Sequence, residues 1–145
     1  MKVKTINAIG TYNVLKQVKI NSLSDDSAIA VWKDIKSLRE IVNDYEAAID
    51  IAKKSVVDDD FTAKQKEYAE LVAIANPTDE DKAKVDTIKA YFDAKQSQLN
   101  KYNNELLLKE VDIDITKLTE AELLKAVKDA GLNFEAMEAL ELVIE

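Results

Sequence analysis

The stretch VDIDI, Val111 to Ile115, alternates apolar and acidic side chains in a chain whose other long segments have helical spacing. Strict alternation is typical of a β-strand with one buried face. A single strand leaves its backbone amides and carbonyls without partners, so it needs a neighbour. The other alternating stretch is MKVKT, Met1 to Thr5, in which lysines take the places that aspartates have in VDIDI.

The two stretches predict a two-stranded β-ribbon of Met1–Thr5 with Val111–Ile115. Four charged residues would meet on its solvent face: Lys2, Lys4, Asp112 and Asp114. Opposite charges across strands contribute about 0.2–1 kcal/mol per pair, which is small but selects the register. The alternative is a frayed N-terminus with VDIDI as an extended linker. The free edge of such a ribbon is also a candidate docking edge for another chain.

Two long segments have the three- and four-residue apolar spacing of amphipathic helices. The apolar face of the first is Ile29, Trp32, Ile35, Leu38, Val42, Tyr45, Ile49, Ala52 and Val56. The second helix is predicted over about Asp79 to Lys109. Because neither helix can bury its apolar face alone, we expect them to pack as a long antiparallel hairpin. Other apolar positions, Val31, Ile41 and Ile51, are candidates for packing against a second copy.

The segment between these helices contains two boundary signals. The stretch VVDDDF, Val56 to Phe61, interrupts the first helix, and either a separate short helix follows or the long one continues. Asn76-Pro77 ends this segment, and Thr78 precedes the next helix with the spacing of a capping box. The three adjacent aspartates lack the spaced ligands of a calcium loop, so helix capping is the favoured interpretation.

Short helices are predicted on either side of the ribbon. One covers about Ile6–Val18, and one follows the capping box TEAE and has Gly131 in the position of a C-cap glycine. A last one is capped by Asn133 and carries Phe134, Met137 and Leu140. The predicted fold is therefore mainly α, a single domain with an arm at roughly 26–109 and a base at roughly 1–24 plus 110–145. The candidate interaction residues are the four charged ribbon residues and Phe134, Met137 and Leu140.

Composition restricts the chemistry that the chain can perform. Its 145 residues include no histidine and no cysteine, which excludes Ser/His and Cys/His nucleophilic sites and zinc sites. Two glycines leave no room for a Gly-rich phosphate loop. The net charge of −8 disfavours direct binding to nucleic acid, and no apolar run is long enough to insert into a membrane. We therefore expect a protein that is not an enzyme and needs no cofactor.

Three stretches resemble a family of small acidic helical proteins encoded in tailed-phage and prophage genomes. They are VKTINAIGTYNVLKQVKINS at 3–22, LLLKEVDIDITKLTEAEL at 106–123 and MEALELVIE at 137–145. The family has no assigned catalytic residues, so none are carried over. The resemblance implies a phage or prophage origin, with the host cytoplasm as the place of assembly and the virion as a candidate destination.

The leading functional hypothesis is a non-enzymatic structural or assembly protein of phage type, associated with the virion or the tail. Its partners would be phage structural proteins or further copies of itself. The alternative is a phage-encoded acidic inhibitor of a host defence or nucleic-acid-binding protein. Lysines interleave with the acids along Lys53–Lys101, and this disfavours a continuous acidic surface that mimics nucleic acid.

Overall fold

A computed structural model describes all 145 residues, and it is mainly α-helical. The elements in chain order are β1 (Lys2–Lys4), α1 (Thr5–Leu15), a 3-10 helix (Ile20–Ser22), α2 (Asp25–Val56), α3 (Asp59–Val72), α4 (Asp79–Leu108), β2 (Glu110–Asp112), α5 (Glu120–Asp129), α6 (Phe134–Ala139) and a second 3-10 helix (Glu141–Val143). The predicted class, mainly α with a small β-ribbon, is confirmed.

The chain divides into two compact units. The terminal unit comprises Met1–Glu46 and Leu106–Glu145, and the middle unit comprises Ala47–Glu105. The terminal unit is larger than the predicted base, because it includes the first part of α2, where Val31 and Leu38 are fully buried.

The β-ribbon lies in the terminal unit and is antiparallel. Val3 pairs with Val111, and the ladder continues beyond the strands, since the amide of Ile113 donates to the carbonyl of Met1 over 2.8 Å. At the other end the amide of Thr5 donates to the carbonyl of Lys109 over 2.9 Å. Val3 and Ile113 are buried on the inner face, as the alternation predicts.

The charges on the outer face differ from the prediction in one pair. Lys2 lies opposite Asp112 as expected, but Lys4 lies opposite Glu110 and not opposite Asp114. An antiparallel register that pairs position 2 with position 112 brings position 4 to position 110, so the second partner had to precede VDIDI. Asp114 lies beyond the ladder, next to residues of a different site described below.

The core of the terminal unit joins α1, α2, α5, α6 and the C-terminal segment. Its fully buried side chains are Leu15, Leu38, Leu123, Leu140, Val31, Val127, Val143, Thr11 and Asp34. The C-terminal segment is held by backbone hydrogen bonds, since the Leu118 amide donates to Val143 and the Glu145 amide donates to Leu118. The Thr11 hydroxyl donates to the carbonyl of Ala139 over 2.7 Å and so satisfies the C-terminal end of α6.

The predicted inward face of α2 is wrong over its first two turns. Ile29 and Trp32 are 52% and 59% exposed, whereas Val31 and Asp34 are buried. This part of α2 contains two overlapping sets of apolar residues: Ile29 and Trp32 form one, and Val31, Ile35 and Leu38 form the other. The set that includes Val31 packs into the core. From Leu38 and Val42 onward the predicted and observed faces agree.

In the middle unit α3 and α4 pack antiparallel. Phe61 contacts Phe92 edge to face with ring centroids 5.1 Å apart, and Tyr68 also meets the Phe92 ring. The Nζ of Lys95 lies 3.6 Å from a carboxylate oxygen of Asp58, one turn beyond the aromatic contact. The segment between the two long helices is therefore a separate helix that packs along α4, and the chain reverses at residues 73–78.

The predicted helix starts are confirmed at three positions in the chain. The Phe61 amide donates to the Asp58 carboxylate over 2.7 Å, so the aspartate run caps α3. The Thr78 amide donates to Asp81, and the Asp81 amide donates to the Thr78 hydroxyl, which completes a capping box. In α5 the Glu122 amide donates to the Thr119 hydroxyl.

Exchange of the ribbon charges tests the observed register. Lys2→Glu places a like charge opposite Asp112 and is expected to lower the free energy of unfolding by about 0.5–1 kcal/mol. Adding Asp112→Lys restores an opposite pair and is expected to recover most of that loss. Urea unfolding followed by circular dichroism measures both changes. Equal stability of the single and double variants would show that the two side chains do not face each other.

Candidate interaction groove

A groove of about 250 Å³ lies between α5 and α6 of the terminal unit. Its lining residues are Leu124, Val127, Lys128, Leu132, Asn133, Phe134 and Met137. The lining is apolar except for one lysine and one asparagine. A concave apolar surface with few polar groups is the usual form of a binding site.

The turn between α5 and α6 sets the shape of this groove. Gly131 has a φ of +74°, in the left-handed region that glycine adopts without steric cost. The Leu132 amide donates to the carbonyl of Val127 and the Gly131 amide donates to Lys128, which is the hydrogen-bond pattern of a Schellman motif. The glycine that the sequence places at this helix end therefore reverses the chain and starts α6 beside α5.

Phe134 is the most exposed large apolar side chain of the protein. It is 79% exposed, although the groove beside it is apolar. Asn133 lines the groove as well, and its side chain makes no hydrogen bond to the amides of α6, contrary to its predicted role as a cap. The exposed ring of Phe134 and the side-chain amide of Asn133, which does not cap α6, therefore both border the groove.

The sequence-predicted interaction residues fall into three groups. Phe134 and Met137 line the groove, as a pair on one side of α6. Leu140 is fully buried in the core, so its prediction as an interaction residue is wrong. It follows Ala136 by one helical turn and faces the same way, inward. The ribbon residues Lys2, Lys4, Asp112 and Asp114 are exposed.

A second exposed surface lies on α2 of the terminal unit, and we call it the α2 face. It comprises Ile29 and Trp32 with the neighbouring Lys33 and Lys36, which share one side of the helix. The Nζ of Lys36 lies 5.9 Å from the centroid of the Trp32 ring, within the range of a cation–π contact. These apolar side chains are the ones that the sequence pattern assigned to the interior.

Asp34 is a site that the sequence analysis did not identify. Its side chain is 1% exposed, and one carboxylate oxygen accepts a hydrogen bond from the Thr116 amide over 2.8 Å. The other oxygen, Oδ2, is buried and has no hydrogen-bond partner. The contact connects α2 to the segment that follows the ribbon. Asp34 lies one turn before Leu38 on the buried side of α2, which is the only sequence signal for its burial.

Burial raises the pKa of Asp34 to about 6. The Thr116 amide opposes this rise by stabilising the carboxylate, and the nearby charge of Asp114 adds to it. Because this carboxyl is 1% exposed, its raised pKa makes the free energy of unfolding depend on pH. Asp114 was predicted to pair with a lysine, and in the structure its charge instead contributes to the raised pKa of Asp34.

The pKa of Glu122, in the same unit, is shifted in the opposite direction. Its carboxylate accepts hydrogen bonds from the hydroxyls of Ser27 at 2.9 Å and Ser24 at 3.0 Å. These hydroxyls, that of Ser27 first, hold the pKa of Glu122 below its usual range. These hydrogen bonds from Ser24 and Ser27 to Glu122 connect the start of α2 to the start of α5. At the other end of α5, the Ser22 hydroxyl donates to the Asp129 carboxylate.

Comparison with family models, with curated proteins and with solved structures found no match. The resemblance to phage-encoded proteins therefore stays a prediction. None of the six α-helices combines the length and the apolar composition that crossing a bilayer requires. The acidic residues form no group of three or more arranged to hold a metal ion.

Asp34→Asn tests the buried carboxyl. The pKa of Asp34 is higher in the folded chain than the usual 3.8, so its contribution to stability is complete below pH 3.8 and is lost as the pH rises through about 6. Asparagine keeps the acceptor for the Thr116 amide and carries no charge. Between about pH 4 and about pH 7 the wild type is expected to lose about 1–2 kcal/mol of unfolding free energy relative to this variant.

Denaturant unfolding at a series of pH values measures this difference. Asp44→Asn changes an exposed aspartate of the same helix and is the matched control, expected to keep the wild-type dependence on pH. Parallel curves for wild type and Asp34→Asn across this pH range would contradict a raised pKa at position 34.

Proposed function

We propose that this chain is a non-enzymatic structural or assembly protein that binds an amphipathic helix of another chain, either a different protein or a second copy, in the α5–α6 groove. The observation that carries this proposal is the 79% exposure of Phe134 beside an apolar groove. Full burial of such a side chain contributes about 1.5–3 kcal/mol, so covering it favours association.

A helix is the partner form that best matches this surface. The groove is bordered by two helices, and its volume of about 250 Å³ is large enough for apolar side chains of a third helix. Phe134 and Met137 provide an aromatic and an adaptable thioether contact, both frequent at interfaces. Lys128 and Asn133, which also line the groove, offer polar partners for that helix.

The sequence resemblance and the two long helices support a phage-type role within this proposal. A 32-residue α2 and a 30-residue α4 provide extended surface, which structural proteins use for contacts with neighbours. The chain lacks histidine and cysteine, and its one strongly shifted carboxyl, Asp34, is inaccessible. These features favour a binding role over catalysis.

A neutral helical peptide with leucines at positions i, i+3, i+4 and i+7 tests the groove. We expect saturable changes in amide NMR shifts confined to the residues around the groove, such as Leu124, Leu132 and Met137. Phe134→Ala removes the exposed anchor and is expected to weaken binding by at least about fivefold, since aromatic anchors carry much of the energy of such contacts.

Val72→Ala is the matched control. Val72 is also exposed, at 55%, but it lies in the middle unit. Its truncation is expected to leave the affinity unchanged. Shifts spread equally over all exposed apolar residues, or equal binding by wild type and Phe134→Ala, would contradict the assignment of this groove.

A further inference from the structure

We infer that the helix that occupies the α5–α6 groove is the α2 face of a second copy of this chain, so that copies join head to tail. This inference rests on the proposed function of the groove and names its partner. Both surfaces belong to the terminal unit, and both are exposed in the same molecule, so neither covers the other within one copy.

The α2 face has the form that the groove requires. It is the exposed side of a regular helix with two large apolar residues three positions apart, Ile29 and Trp32. Anchors at this spacing are the usual way in which a helix binds a groove. Tryptophan is also among the side chains that contribute most to interfaces, and this one is 59% exposed.

The charges of the two surfaces follow complementary orders. Along one side of α2, Asp25 precedes the apolar pair and Lys36 follows it. On the groove side, Lys128 lines the groove in the last turn of α5, next to the turn that leads into α6. Glu138 lies one helical turn after Phe134 on α6, farther from that turn. Docked with its acidic end toward Lys128, the α2 face brings Lys36 toward Glu138. This pairing fixes one orientation of the helix in the groove.

The two surfaces are different, so the contact between copies is heterologous. Each copy offers one groove and one α2 face, and a contact of this kind repeats until it closes into a ring or continues as a chain. One helix in one groove buries a small area, which is typical of weak contacts that depend on concentration. A weak repeating contact suits a protein that assembles only where it is concentrated.

Complementation between two surface variants tests this inference. Trp32→Ala damages the α2 face and leaves the groove intact, whereas Phe134→Ala damages the groove and leaves the α2 face intact. Both side chains are mostly exposed, so both variants are expected to fold, as circular dichroism checks. Sedimentation and light scattering of the full chain over a range of concentrations give the number of copies per particle.

The wild type is expected to increase in mass with concentration beyond two copies. Each variant alone is expected to associate at least about tenfold more weakly. An equal mixture of the two is expected to form particles of two copies and no more, because only one intact groove and one intact face remain to pair. Val57→Ala, on an exposed residue of the middle unit, is the control and is expected to assemble like the wild type.

Two results would overturn the inference. A wild type that stays monomeric at every concentration would show that a second copy does not occupy the groove. A mixture of the two variants that stays monomeric while the wild type assembles would show that the contact does not join these two surfaces. In either case, binding of the neutral peptide in the groove would still support the proposed function. Absence of peptide binding would contradict both the proposed function and this inference.

Discussion

Pairing of β1 with β2 is the constraint on which the terminal unit depends. The Met1 and Ile113 backbones exchange hydrogen bonds across 112 positions of sequence, and the Thr5 amide binds the Lys109 carbonyl, so α1 begins where α4 ends. Closing so long a loop costs conformational entropy, which the buried face formed by Val3 and Ile113 offsets. The ribbon thereby brings the first helix and the C-terminal helices to one core.

Local sequence signals predicted much of this fold because they act through neighbouring atoms. The alternation of VDIDI, the caps at Asp58 and Thr78, and the glycine at 131 each specify a backbone geometry that needs no knowledge of distant residues. The inward face of α2 needed such knowledge. Ile29 and Val31 are equally apolar, and only the position of the surrounding core decides which of them is buried.

The candidate site was predictable in part for the same reason. Phe134 and Met137 were identified as apolar residues near a helix start, and they line the groove. Whether a residue of α6 faces the groove or the core depends on how α5 packs, which the sequence pattern does not give. For this reason Leu140 was predicted to be an interaction residue although it is buried. The only sequence signal for the burial of Asp34 is its position one turn before Leu38, and this signal is weak because aspartate is common on exposed helix faces. Asp34 and Glu122 respond oppositely to acid. Acidification neutralises a buried charge that disfavours folding at Asp34, and at Glu122 it neutralises a charge that the hydroxyls of Ser27 and Ser24 stabilise.

The outward position of Trp32 has a spectroscopic consequence. It is the only tryptophan of the chain, and its indole is largely in water beside a lysine. We therefore expect its emission in the native protein to be shifted toward that of an unfolded chain, and to change less on unfolding than that of a buried tryptophan. The same fluorophore is sensitive to any molecule that covers that side of the helix, so it is an intrinsic reporter of encounters at the surface.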